Sequence, residues 1–191
     1  MSNQTNNTYD NLHKTLTLPL AYDSTVLLGV GTPMTTLKMM PAFHTHRTFI
    51  TSATCAKCKS KAFDPMASTS DRPGVAGPLG NLEYLFDHYG TERDGFAITG
   101  EPLNDIMCLL QQDSVTKNIT PSVCSPNGVE FFSVWDYQHD QNMTLFQELP
   151  YDGLLGIGPS ANPIQDQQSF TKTLFNSGLI SNHSLTFRHV P

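Results

Sequence analysis

Glycine and proline punctuate this chain too densely for a helical bundle. Thirteen of each fall among 191 residues, and the apolar runs between them are short and rich in β-branched and aliphatic side chains. Runs of that kind, bounded by turn formers, read as strands. Leu16–Leu20 is a short candidate broken at Pro19, and Tyr22–Val30 a longer one closed by the turn Gly31-Thr32-Pro33. Leu37–Met40 is apolar and ends against Pro41, and Thr48–Thr51 follows as another short strand. Phe63-Asp64-Pro65 with Ser68-Thr69-Ser70 predicts a turn capped by its own side chains. Asn81–Tyr89 and Gly95–Leu103 have hairpin spacing, with Asp94-Gly95 as the turn signal. Phe131–Trp135 is a strand, and Leu154-Leu155-Gly156-Ile157-Gly158 a buried one whose glycines permit neighbouring backbones to approach closely. One helix is clear: Phe170, Leu174 and Phe175 share a face, and Gly178 stands where a left-handed cap would end it. Ser184–Val190 alternates as a final strand. The sum is a mostly β fold with one or two short helices.

Composition narrows the function classes. A hydrophobic fraction of 38% with only 15% charged residues suits a packed core rather than disorder. The formal net charge is -6, and 11 Lys and Arg residues are too few for a nucleic-acid binder. No apolar run approaches the roughly 18–20 residues of a membrane-spanning helix. Residues 1–15 read as a polar N-terminal arm, loosest over 1–11, and residues 16–191 as a single domain.

The compartment signals point two ways. Met1–Leu20 shows no basic region followed by an unbroken apolar stretch, so no secretory signal peptide is legible and an intracellular or organellar setting is expected. Five Asn-x-Ser/Thr sequons, at Asn3, Asn6, Asn118, Asn142 and Asn182, point instead to a secretory history, although an Asn- and Thr-rich chain also generates sequons by chance. Four cysteines stand at Cys55, Cys58, Cys108 and Cys124, which permits two disulfides in three connectivities. His44 and His46 alternate on one strand face and, with Cys55 and Cys58, make a candidate metal set, but one CxxC without a second pair is a weak zinc signal. No activating group accompanies any Cys/His pair, so a thiol nucleophile is not expected.

Several of these segments occur in one order that resembles the amino-terminal lobe of a pepsin-like aspartic protease. Tyr22 through Gly31-Thr32-Pro33 is similar to the family's opening strand and GTP turn. Phe63-Asp64-Pro65 with Ser68-Thr69-Ser70 resembles its FDPS-like segment, and Tyr89-Gly90-Thr91 the start of its flap. Tyr151-Asp152-Gly153-Leu154-Leu155-Gly156-Ile157-Gly158 resembles its DGILGLG segment, with Ser169-Phe170, Leu174 and Gly178-Leu179-Ile180 following as helix and return strand. The resemblance covers about residues 20–190, one lobe of two. It implies packed β-sheets with a flap hairpin, a secretory or lysosomal setting, and a small disulfide loop at Cys55 and Cys58. Cys108 and Cys124 remain either a second disulfide or buried thiols.

The same frame removes the chemistry. Such enzymes place one aspartate on each lobe, and the two carboxylates share a proton and activate a water. In the family the aspartate lies nine positions after the proline of GTP, which from Pro33 is Ala42. The Asp-Thr-Gly triplet therefore falls on Ala42-Phe43-His44, and Phe49 stands at the family's Trp. No aspartate in the chain precedes Thr-Gly or Ser-Gly. The flap tip reads Glu92-Arg93-Asp94, a charged turn rather than a small-residue clamp. Asp152 is expected to be structural, Glu83, Asp87 and Glu92 to be surface charges, and Trp135 and Tyr137 to be core or contact aromatics. No catalytic residue, metal or cofactor is therefore expected. The resemblance implies a non-catalytic subunit whose exposed inter-lobe face takes a protein partner: a second copy, a separate lobe or a larger assembly. An endopeptidase completed by another chain, and a peptide-binding or inhibitory pseudoprotease, are the alternatives.

Overall fold

Strands that carry apolar side chains on both faces must be covered on both faces, and that requirement organises this structure. The computed structural model describes residues 9–10, 15–16, 25–43, 45–58, 60, 62–73, 82–86, 96–113, 116–139, 151–158 and 169–182. A short pair opens it, β1 (Tyr9–Asp10) antiparallel to β2 (Thr15–Leu16).

The main sheet has ten strands. Their spatial order is β10 (Ile119–Cys124), β9 (Met107–Gln112), β3 (Val26–Val30), β4 (Thr35–Ala42), β12 (Gly153–Gly156), β5 (Phe49–Thr51), β11 (Val129–His139), β8 (Phe96–Asp105) and β6 (Arg72–Pro73), with β7 (Leu82–Phe86) also on β8. The β7–β8 pair is the hairpin expected from the sequence, in register from Leu82–Gly100 to Phe86–Phe96. Its Asp94-Gly95 turn, like the strand expected at 184–190, lies outside the described residues. Two pairings are parallel, β4 with β12 and β5 with β11. The architecture is thus mostly β, a mixed sheet with, among the described residues, one short α-helix, α1 (Phe170–Asn176).

Neighbouring residues of a strand point to opposite faces. Phe49 and Ile50, Phe131 and Phe132, and Leu154 and Leu155 therefore split between two apolar clusters. The larger gathers Val26, Leu28, Val30, Leu37, Met39 and Leu109 beneath Phe170 and Leu174 of α1. The smaller contains Ala42, Phe49, Ile98, Phe132, Val134 and Leu154 with Cys55 and Cys58. An edge-on aromatic pair braces each cluster, Phe63 on Phe131 at 5.5 Å in the larger and Phe49 on Phe132 at 5.8 Å in the smaller.

The structure corrects two expectations. β4 runs through Pro41 to Ala42 instead of stopping at Met40. Proline removes a ladder donor, but Ile157 N–H donates to the Ala42 carbonyl, so Ala42 faces β12 and Pro41 turns its nitrogen toward β3, whose ladder has ended at Val26–Met39. In α1, Phe170 and Leu174 are buried as expected, but Phe175 is 37% exposed and lies under the Lys172 ammonium at 5.5 Å. The helix is capped at both ends, at Gly178 as the sequence indicates and also at Ser169. Ser169 Oγ accepts from Lys172 N–H at 3.1 Å. Gly178, at φ +69°, closes the other end: its N–H donates to the Phe175 carbonyl and Leu179 N–H to Leu174.

β12 lies between β4 and β5 with almost no lateral room. A Cβ on Gly156 would sit 2.2 Å from the Arg47 carbonyl oxygen, and one on Gly158 would sit 2.3 Å from that of Phe43. Both obstacles are backbone and cannot rotate away. Gly156→Ala is expected to destabilise the fold by about 3 kcal/mol through forced strand separation, read as a lowered denaturant midpoint.

Candidate functional site

The position of interest is the connection between β4 and β5, residues 43–48, because the sequence resemblance sets an expected active-site triplet against its start, Ala42-Phe43-His44. Its backbone is cinched against β12 and the residues that follow. Ile157 N–H donates to the Ala42 carbonyl at 3.0 Å, Gly158 N–H to that of Thr45 at 2.8 Å, and Gly156 N–H to Thr48 Oγ1 at 3.2 Å. Within the loop, Arg47 N–H donates to Thr45 Oγ1 at 3.1 Å.

Ala42 opens this loop in register with Gly156. Its methyl group is 3% exposed and belongs to the smaller apolar cluster. A methyl neither accepts a hydrogen bond nor exchanges a proton, so this position offers no acid or base. Phe43, the next residue, is 55% exposed. His44, Tyr89, Gly90, Thr91, Asp87 and Glu92 lie outside the described residues, as do the side chains of Glu83 and Tyr137. Trp135 is half-buried.

Two other aspartates are held by donors from their own chain. Asp152 stands at the entry to β12, about 13 Å of strand from Gly156 at roughly 3.3 Å per residue. Its Oδ2 accepts from Lys38 N–H at 2.8 Å and its Oδ1 from the Ser60 hydroxyl. Its backbone N–H donates to the Lys38 carbonyl, and its carbonyl accepts from Thr51 N–H and Thr51 Oγ1. One residue therefore fastens β4 and β5 to the start of β12. Beside it, burial pushes the Tyr151 hydroxyl above its ordinary value, so Tyr151 is a neutral packing group at the edge of the smaller cluster.

Asp105 was not singled out by sequence. It is 1% exposed at the end of β8. Ser68 Oγ donates to its Oδ2 at 2.7 Å, while Ser70 Oγ at 2.6 Å and Ile106 N–H at 2.7 Å donate to its Oδ1. Ser68 Oγ in turn accepts from Thr32 N–H at 3.0 Å. The carboxylate thus joins the GTP turn after β3 to the serines that follow the 3-10 turn Pro65–Ala67, where Asp64 caps Met66 N–H as the sequence indicates. Its sequence signal was the Ser68-Thr69-Ser70 run, which announces hydroxyl donors without naming their acceptor.

The cysteines form two disulfides, Cys55–Cys58 and Cys108–Cys124. The first takes up both thiolates that a metal site with His44 and His46 would use. Among the described residues no three His, Cys, Asp or Glu side chains cluster as metal ligands do. The second disulfide staples directly opposed residues of β9 and β10.

No protein-family model matches the sequence, and no curated protein matches it significantly.

A residue that ties three strands together has a measurable structural role. Asp152→Ala removes the acceptors of Lys38 N–H and the Ser60 hydroxyl and is expected to cost about 3 kcal/mol. Asp152→Asn keeps one carbonyl acceptor and is expected to cost less than half as much, both read by urea unfolding.

Proposed function

We propose that this chain is a catalytically silent, pepsin-like lobe that serves as a structural or binding subunit of a protein assembly. The observation that carries this reading is the seat of Ala42. The segments whose sequences resemble the family's active-site region and its DGILGLG motif are neighbours in the sheet, β4 and β12, and are paired residue by residue from Met39–Gly153 to Ala42–Gly156. At the end of that pairing, where an aspartic protease needs a carboxylate, the chain presents a buried methyl group. Asp152 and Asp105 do not substitute for it, because internal donors engage both.

The subunit role rests on exposed apolar surface. Met40 and Phe43 flank Ala42 and are 38% and 55% exposed. In a two-lobed protease this region faces the second lobe, and apolar surface at such a place is normally covered by a protein partner.

The test is proteolysis of an unfolded protein substrate at acid pH, with and without pepstatin. No pepstatin-sensitive cleavage is expected; pepstatin-sensitive turnover by the purified chain would contradict the reading. Ala42→Asp is expected to restore no activity to the monomeric chain, since the dyad's second carboxylate has no source in a single lobe. It should instead destabilise the fold by about 3 kcal/mol, the order of cost for an uncompensated buried charge.

A further inference from the structure

The hairpin of β9 and β10 carries Asn118-Ile119-Thr120 just after its turn. All three residues are exposed. The turn is held through backbone groups and the side chains of Asp113 and Thr116. Asp113 N–H donates to the Asn118 carbonyl at 2.9 Å, Asp113 Oδ1 accepts from Thr116 N–H at 2.6 Å, and Lys117 takes a left-handed φ of +60°. The Asn118 backbone is therefore fixed, and the residue is exposed. Among the described residues β10 stands at the edge of the sheet, paired with β9, and Ile119–Ser122 are exposed along it.

A second observation concerns the compartment. Both cysteine pairs are disulfides, and one of them, Cys108–Cys124, closes this same hairpin. Structural disulfides form and persist in oxidising compartments, where Asn-linked glycans are also added. The acceptor motif, its exposure and the oxidised staple meet on one hairpin, which separates Asn118 from a sequon produced by composition alone.

We infer that Asn118 is an N-glycosylation site and that the chain matures in an oxidising, secretory compartment. The Nδ2 of Asn118 attacks the anomeric carbon of an oligosaccharide carried on a lipid pyrophosphate. The new N–C bond forms as the C–O bond to phosphate breaks, the lipid pyrophosphate leaves with the bonding pair, and Nδ2 gives up one proton to solvent. Thr120 completes the motif. Pro121 holds Thr120 in extended backbone, so occupancy is expected to be partial. The inference is independent of the functional reading above.

The test is peptide mass mapping, without reduction, of the protein purified from its own cells, before and after treatment with an amidase that removes Asn-linked glycans. A fraction of the Asn118 peptide is expected to carry a hexosamine-containing glycan, with Asn118 converted to Asp on release. An Asn118 peptide found only in unmodified form overturns the site, whether the cysteines are paired or free. Thr120→Ala, expressed in the same cells, is expected to abolish the modification and Thr120→Ser to retain it. A glycan at Asn118 that survives Thr120→Ala overturns the assignment.

Discussion

Between β4 and β5 the sheet leaves room for one backbone and no side chain pointing sideways, and the rest of the structure depends on how β12 fills that gap. Gly156 and Gly158 have no Cβ to collide with the carbonyls of Arg47 and Phe43. With β12 in place, its ladder to β4 is parallel and its ladder to β5 antiparallel, so two strands adjacent in sequence are joined through a third that arrives more than a hundred residues later. Asp152 fastens the entry of that strand, and the hydrogen bonds of Ile157 and Gly158 fasten its exit to the loop after Ala42. The alternation of Leu154 and Leu155 then feeds one apolar cluster on each face of the sheet.

This arrangement holds the connection between β4 and β5 whatever side chain stands at position 42. The strand pairing, the glycines and the Asp152 clamp hold the loop from its backbone. None of them requires a carboxylate at position 42, where a small apolar side chain completes the smaller cluster. Asp152 and Asp105 join separate strands and turns, and their oxygens accept from serine hydroxyls and backbone N–H groups. A carboxylate committed in that way is a fastener, whereas hydrolysis needs one presented to water and substrate.

Much of this was legible before the fold was known, where one residue type answers one local demand. Gly178 marked the helix end because only a left-handed residue closes it, and the glycines of 154–158 marked a close approach because they recur in an apolar run. Three features were not legible. Pro41 reads as a strand terminator, and only the neighbouring ladder reveals that its missing donor faces a place where pairing has already ended. Phe175 shares a helical face with Leu174 on paper, but α1 is so short that its rim residues reach solvent. Asp105 looks like any other aspartate, since its three donors come from Ser68, Ser70 and Ile106 and two of these are distant in sequence.

On the reading proposed above, Met40 and Phe43, 38% and 55% exposed beside Ala42, would be covered by a protein partner. The most direct measurement is the size of the protein in native extract of its own cells, by size-exclusion separation with mass-spectrometric identification of what co-elutes. A subunit elutes well above its 21.1 kDa chain mass together with a constant protein companion or further copies of itself. A soluble species that runs as a lone 21.1 kDa monomer would contradict the account.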